Sequence, residues 1–106
     1  MGHYLFQASY TQAGLKGLLA EGPESRRKVV EGLARSLGGK VEAMYWSFGA
    51  GDVVVIAELP DNAAAASFST TVGAAGVASI STTVLLTSAE VDRARGLKPA
   101  YRAPGT

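Results

Sequence analysis

The chain has 106 residues, of which 47% are hydrophobic and 18% are charged, and its formal net charge is +1. This length predicts one domain, and a near-neutral charge lacks the clustered basic face typical of nucleic-acid binders. The only dense basic run, Arg26-Arg27-Lys28, lies beside Glu24 and Glu31 and is interpreted as a solvated helix face. We therefore expect no nucleic-acid partner.

Cysteine is absent, which excludes disulfides, thiolate nucleophiles and Cys-ligated zinc and fits a reducing compartment. No window approaches the roughly 18 apolar residues that a membrane span needs. The N-terminus also lacks the basic region and apolar core of a secretion signal. The composition predicts a cytoplasmic protein with no membrane partner.

Strand and helix signals alternate along the first part of the chain. Residues 3–10 alternate as a strand, and Thr11 then offers an N-cap for a helix. Gly22-Pro23 should break or kink that helix, because proline is tolerated in a first turn but not in a helix interior. The helical pattern restarts there and closes at Gly38-Gly39.

A glycine-rich hairpin follows. Residues 40–48 form an aromatic-rich strand, and Gly49-Ala50-Gly51 joins it to a very apolar strand over residues 52–59. The glycines of this turn allow positive φ. The second strand of the hairpin is too apolar to face water and lies at the centre of the predicted sheet.

The last part of the chain carries a helix, a strand and a short final helix. Asp61 caps an alanine-rich helix that runs to about residue 72, and residues 77–87 alternate as the fourth strand. Thr87-Ser88-Ala89-Glu90 resembles a capping box and starts a helix that runs toward Arg95.

This order of elements predicts an α+β, ferredoxin-like βαββαβ domain, a split βαβ unit repeated twice. Its four-stranded antiparallel sheet would carry two helices on one face, because both crossovers are right-handed. We place the domain at residues 1–96, with an extended tail at 97–106.

Side-chain alternation divides the strand residues between two faces of this sheet. The face assigned to the helices consists of Tyr4, Phe6, Tyr10, Val41, Tyr45, Val53, Val55, Ile80 and Val84. The opposite face consists of Leu5, Gln7, Met44, Trp46, Phe48, Val54, Ile56 and Leu85, diluted by Glu42, Glu58, Ser79 and Ser81. An exposed apolar face usually marks an interaction surface, and two-fold self-association is the commonest way to bury it. We predict a homodimer whose two sheets face each other as a barrel.

The sequence resembles the GYD family of small bacterial proteins, which are related in fold to dimeric α/β barrels. The resemblance rests on residues 4–11, Gly38-Gly39, residues 48–61 and Thr82-Thr83-Val84-Leu85. Its Gly-Tyr-Asp signature corresponds here to Gly49-Ala50-Gly51-Asp52, in which Asp52 matches and Gly51 replaces the usual tyrosine. The resemblance implies no defined activity and no cofactor.

Candidate ligand-binding residues are Gln7, Tyr45, Trp46, Asp52 and Glu58. The two aromatic side chains could stack on a planar ligand, although ordinary packing explains them equally well. Asp52 could serve as an acid or base, but an aspartate in a turn more often bonds turn amides.

Two acidic residues and one histidine have further alternatives. Glu42 and Glu58 could form paired carboxylates on the second face, where solvation at the barrel rim is the favoured interpretation. His3 is the sole histidine, and one imidazole with one carboxylate makes a poor metal site. It follows Met1-Gly2, a context that also fits the remnant of an expression tag.

The leading functional hypothesis is a small homodimeric binding or accessory protein, because no catalytic constellation is evident. Its alternative is a dimeric α/β-barrel enzyme, a cofactor-independent monooxygenase or an isomerase, acting on a small organic or aromatic substrate. Such an enzyme needs an apolar pocket between sheet and helices with a few polar groups inside. A third hypothesis is haem or metal binding through His3.

Overall fold

The computed structural model describes residues 1–106. Its elements are β1 (Gly2–Tyr10), α1 (Gln12–Glu21), α2 (Pro23–Ser36), β2 (Lys40–Trp46), β3 (Val53–Leu59), α3 (Asn62–Ala74), β4 (Ala78–Leu85) and α4 (Ser88–Gly96). The four strands form one sheet in the order β2-β3-β1-β4, and every pair of neighbours is antiparallel. This is the predicted ferredoxin-like arrangement, with β3 and β1 in the middle of the sheet.

The first crossover is built from two helices, as the Gly22-Pro23 signal predicts. The Thr11 hydroxyl caps α1 by accepting a hydrogen bond from the Gly14 amide at 3.1 Å. Gly22 ends α1 with φ of 95°, a conformation that glycine adopts without a side-chain clash. Pro23 occupies the first turn of α2, where its missing N–H costs nothing.

The hydrophobic core lies between the helices and one face of the sheet. Phe6, Leu59 and Phe68 are its largest fully buried side chains. The rings of Phe6 and Phe68 stack with their centroids 4.2 Å apart, so that a single aromatic residue anchors the alanine-rich α3 on β1. Burial of a side chain of this size stabilises the fold by about 1.5–3 kcal/mol.

A β-bulge in β2 places several side chains on the opposite face of the sheet from the one predicted. The register of β2 on β3 shifts between Val41 and Ala43, which inserts Glu42 as an extra residue. Beyond the bulge every side chain therefore changes face. Met44 is buried against the helices, while Tyr45 is 70% exposed on the other face. The predicted positions of Tyr45, Met44 and Trp46 were wrong, because alternation along a sequence assumes an uninterrupted ladder.

The β2–β3 turn forms without the positive φ that its glycines allow. The only non-glycine residue with positive φ is Phe48, at 49°, whereas Gly49 and Gly51 have no positive φ. The turn closes through the Ser47 amide on the Asp52 carbonyl at 2.9 Å and the Ser47 hydroxyl on the Gly51 carbonyl at 2.8 Å. Hydrogen bonds within the loop, rather than glycine flexibility, therefore hold its shape.

Residues 86–106, here called the C-terminal arm, leave the body of the protein. Every residue of the arm is exposed, although α4 has the predicted capping box between Thr87 and Glu90. The radius of gyration is 16.9 Å, against about 13 Å for a compact domain of this length. The arm thus packs on neither face of its own sheet.

Candidate functional site

The sheet face opposite the helices, here called the open face, carries both apolar and polar side chains. Its members are His3, Leu5, Gln7, Ser9, Lys40, Glu42, Ala43, Tyr45, Val54, Ile56, Glu58, Ser79, Ser81, Thr83 and Leu85. The apolar residues Leu5 and Ile56 are cross-strand neighbours at its centre. Polar side chains lie at the two ends of the strands, so the open face is apolar in the middle and polar along two edges.

One edge brings together the sole histidine and two glutamates. His3 and Glu58 are direct cross-strand neighbours on β1 and β3, and Glu42 of β2 lies on the same face beside them. The imidazole Nδ1 lies 2.8 Å from Glu42 Oε1, and one ligand atom from each of the three side chains lies within 4.8 Å of the others. His3 is therefore an integral part of the sheet and of this cluster.

The other edge of the open face is a shallow polar groove of about 310 Å³. Its lining residues are Gln7, Ser9, Ala50, Gly51, Ser79, Ile80 and Ser81. Gln7, one of the predicted ligand-binding residues, lies here, and three rungs of the β1–β3 ladder separate it from Glu58. Gln7 and Glu58 thus lie at two separate places on the open face.

Asp52 has a structural partner. Its carboxylate Oδ2 accepts a hydrogen bond from the Tyr10 amide at 2.7 Å, and its own amide donates to the Ala8 carbonyl at 2.8 Å. Both bonds tie the hairpin to the end of β1. This arrangement favours the structural interpretation of Asp52 over a catalytic one.

The two candidate aromatic residues lie on opposite sides of the sheet. Trp46 is half-buried on the helix side, where its ring stacks with Tyr10 at 6.4 Å and with Phe48 at 6.1 Å between centroids. Tyr45 points from the open face into solvent. They cannot sandwich one planar ligand, because the backbone of β2 separates them.

An apolar cleft of about 260 Å³ lies between α2, α3 and the sheet. Its floor is formed by strand residues that include Phe6, Val53 and Val55, and its walls by helix residues such as Val30 and Val72. Its lining side chains are Phe6, Ala8, Tyr10, Arg26, Val29, Val30, Leu33, Met44, Val53, Val55, Phe68, Thr71, Val72, Ala75, Val77, Ala78 and Ile80. None of the predicted site residues belongs to it.

One feature of the sequence could have indicated the cleft, namely the difference in side-chain size between α3 and α2. The alanine-rich α3 offers only Phe68 as a large side chain, while α2 presents Val29, Val30 and Leu33. Small side chains on one helix cannot fill the space opposite large ones on another unless the helices approach closely. The two helices remain apart over the sheet, and the space between them stays open.

Two titratable groups have shifted pKa values, and both lie near the starts of α3 and α4. Burial raises the pKa of the Tyr4 phenol, with Asp61 and Glu90 adding to the rise, and the phenol donates to Asn62 Oδ1 at 2.7 Å. The Thr87 amide, followed by the Thr87 hydroxyl, lowers the pKa of Glu90. Both shifts follow from local packing and capping.

The fold and the site together define a small ferredoxin-like α+β protein with a free sheet face and a cleft under its helices. The chain belongs to the GYD family, since the family model described as GYD domain matches residues 4–94. The resemblance found in the sequence is thereby confirmed. No curated protein and no solved structure matches the chain. Among the helices, none combines the length and the apolar character required to cross a lipid bilayer.

Proposed function

We propose that this protein is a homodimer that binds a small, mostly apolar organic molecule in the cleft between α2 and α3. The observation that carries the proposal is the cleft itself, whose 17 lining residues include 15 hydrophobic ones. Ligand pockets in proteins are typically apolar, with a small number of polar groups that orient the ligand. The polar groups here are Arg26 and Thr71.

The size of the cleft limits the ligand. An apolar cavity of about 150 Å³ accommodates benzene, and this cleft measures about 260 Å³. A molecule of one or two rings therefore fits, and a larger cofactor such as haem does not. The guanidinium of Arg26 lies 3.7 Å from Glu21 and remains partly exposed, so it can also contact a polar substituent of the ligand.

A binding role is favoured over catalysis by what lines the cleft. Its lining residues include no carboxylate and no imidazole, which are the groups that most often transfer protons in enzymes. The alternative, a cofactor-independent monooxygenase or isomerase, is supported by the open apolar space that such an enzyme requires. It would have to act through Arg26, Thr71 and Tyr10 alone.

Dimerisation is supported by the open face. Leu5, Val54 and Ile56 place an apolar strip at its centre, and a second copy of the chain would bury it by a two-fold axis. A four-stranded face of this length covers only roughly 400 Å², about half of the ~800 Å² that each partner buries in a standard interface.

The C-terminal arm supplies the missing contact area in this proposal. A helix as short as α4, with 9 residues, is marginal in water unless it packs on something. The arm exposes Leu86, Val91, Leu97 and Tyr101 and extends from the end of β4, the edge strand of the sheet. Packing of the arm on the partner copy would bury these side chains together with the open face.

The ligand-binding part is tested by titrating ¹⁵N-labelled protein with indole and with 2-naphthol. We expect saturable amide shifts at cleft residues such as Val30 and Val72. Ala75→Phe places a ring in the cleft and should weaken binding at least tenfold. Ala66→Phe is the matched control, because Ala66 lies on α3 outside the cleft. Shifts that never saturate, or equal weakening by both variants, would contradict the proposal.

A further inference from the structure

We infer that His3, Glu42 and Glu58 form a binding site for one divalent transition-metal ion of the Zn²⁺ type. The three residues come from three adjacent strands and converge at one edge of the open face. The sequence alone suggested Glu42 and Glu58 as paired carboxylates and, separately, His3 with one carboxylate. The fold combines the two pairs and brings one ligand atom from each residue within 4.8 Å of the others.

The order of the strands in the sheet creates this convergence. β1 and β2 are both neighbours of β3 but not of each other, so their backbones lie roughly 10 Å apart. The Glu42 side chain follows the helix-facing Val41 and lies on the open face, where it spans this gap and meets His3. The bulge also places Ala43, paired with Ile56, beside Glu42 on the open face.

The spacing of the ligand atoms suits coordination. Metal–ligand bonds of about 2.0–2.2 Å place neighbouring ligand atoms about 3 Å apart, and His3 Nδ1 already lies 2.8 Å from Glu42 Oε1. The third ligand atom, from Glu58, needs only a side-chain adjustment to reach the same ion. The set of one nitrogen and two carboxylate oxygens matches borderline ions better than soft Cu⁺ or hard Mg²⁺.

The charges of the cluster also favour a cation. Glu58 forms no ion pair within 4 Å, and the imidazole is the sole partner of Glu42, because the other ion pairs of the chain join Arg26 to Glu21 and Arg95 to Asp92. Lys40 is the cross-strand neighbour of Glu58 but does not pair with it. Two carboxylates held this close together on neighbouring strands repel each other, and a divalent ion between them would reverse that effect.

The site lies within one chain and does not depend on the ligand cleft or on the dimer. The His3 and Glu42 side chains are each 32% exposed in the single chain. They lie at one edge of the open face, so an ion can enter from solvent at the rim of the proposed dimer and keep water in its remaining coordination positions. The aromatic ligand proposed above would lie on the other side of the sheet. Failure of either proposal therefore leaves the other intact.

The test is isothermal titration of the metal-free protein with Zn²⁺, and separately with Mg²⁺, at neutral pH. We expect one Zn²⁺ per chain and at least a hundredfold weaker response to Mg²⁺. Glu58→Gln, Glu42→Gln and His3→Asn should each weaken Zn²⁺ binding at least tenfold. Glu31→Gln on α2 is the control that leaves it unchanged. Circular dichroism of each variant verifies that the sheet is retained.

Two further measurements identify the ligands. Substitution with Co²⁺ should give visible d–d bands that Glu58→Gln shifts or abolishes, and long-range ¹H–¹⁵N spectra should show Nδ1 of His3 as the coordinated nitrogen. Absence of stoichiometric Zn²⁺ binding would overturn the inference. Binding that persists undiminished in Glu58→Gln would also overturn it, because His3 would then act without the cluster.

Discussion

The carboxylate of Asp52 accepts a hydrogen bond from the backbone amide of Tyr10, at a distance of 2.7 Å between Oδ2 and the nitrogen. Asp52 lies at the start of β3 and Tyr10 at the end of β1, so this bond joins the hairpin to the strand beside it. The aspartate of the GYD signature thus has a structural role that is visible in this chain.

Removal of this bond should destabilise the protein. Asp52→Ala leaves the partly buried Tyr10 amide without its charged acceptor, and we expect a loss of about 1.5–3 kcal/mol in the free energy of unfolding. Asp52→Asn keeps an acceptor oxygen and should lose less. Asp92→Ala, which breaks only an exposed ion pair with Arg95, is the control, with a loss of about 0.5 kcal/mol or less. Urea denaturation measures all three.

Gly51, which replaces the tyrosine of the GYD signature, should tolerate substitution by tyrosine. A Cβ on Gly51 would lie 3.5 Å from the Ala8 carbonyl oxygen and 3.8 Å from Ser9 Oγ, which are ordinary contacts. We expect Gly51→Tyr to change the free energy of unfolding by about 0.5 kcal/mol or less, because its ring can enter the polar groove.

Gly14 provides the comparison for the Gly51→Tyr variant. A Cβ on Gly14 would collide with the Val77 carbonyl oxygen, since α1 packs closely on the segment before β4. Gly14→Ala should therefore destabilise by about 1–3 kcal/mol. Equal losses in thermal denaturation for Gly51→Tyr and Gly14→Ala would show that the space at Gly51 is smaller than the distances indicate.

The open face should determine the oligomeric state. Tyr45→Arg and Thr83→Arg each place a charge on exposed positions of this face, so the folded monomer should tolerate them while a face-to-face dimer should not. We expect light scattering after gel filtration to report a dimer for the native chain and a monomer for the double variant. Leu19→Arg, on an equally exposed apolar position of α1, should remain dimeric.

Deletion of residues 87–106 tests the C-terminal arm separately. If the arm packs on the partner copy, the deletion should weaken the dimer at least tenfold in sedimentation equilibrium. Its secondary structure should otherwise be retained, because the arm supports no part of its own body. A native chain that stays monomeric at micromolar concentration would contradict both predictions on assembly.

Tyr4 should make the protein sensitive to alkaline pH. An unfolded tyrosine ionises near pH 10, and burial raises the pKa of Tyr4 in the folded protein. The stabilisation is therefore complete below about pH 10 and is lost as the pH rises through the folded pKa. Tyr4→Phe cannot ionise, although it also loses the hydrogen bond to Asn62.

The measurement is the difference in melting temperature between the native chain and Tyr4→Phe across pH 8 to 11. We expect the native chain to be more stable at pH 8 and this advantage to shrink toward pH 11. Tyr101→Phe, at an exposed position of the arm, should show no such trend. A difference that stays constant with pH would mean that Tyr4 ionises equally easily in both states.

The order of elements, the break at Gly22-Pro23, the helix caps and the family could all be predicted from the sequence. These features depend on neighbouring residues: a proline removes its own N–H, and the Asp61 carboxylate caps α3 by accepting from the Ala64 amide three residues away. The sheet face on which each β1 and β3 side chain lies was also predictable, because the ladder between these strands is uninterrupted.

Only the tertiary structure determined which residues form the candidate sites. The bulge at Glu42 depends on how β2 pairs with β3, so the facing of Met44, Tyr45 and Trp46 could not be derived by alternation. The cleft exists because α2 and α3 stand apart over the sheet, a distance that no local pattern encodes. His3, Glu42 and Glu58 are far apart in the chain and meet only because three strands lie side by side. Local preferences determine the elements, whereas a site requires the long-range register that brings them together.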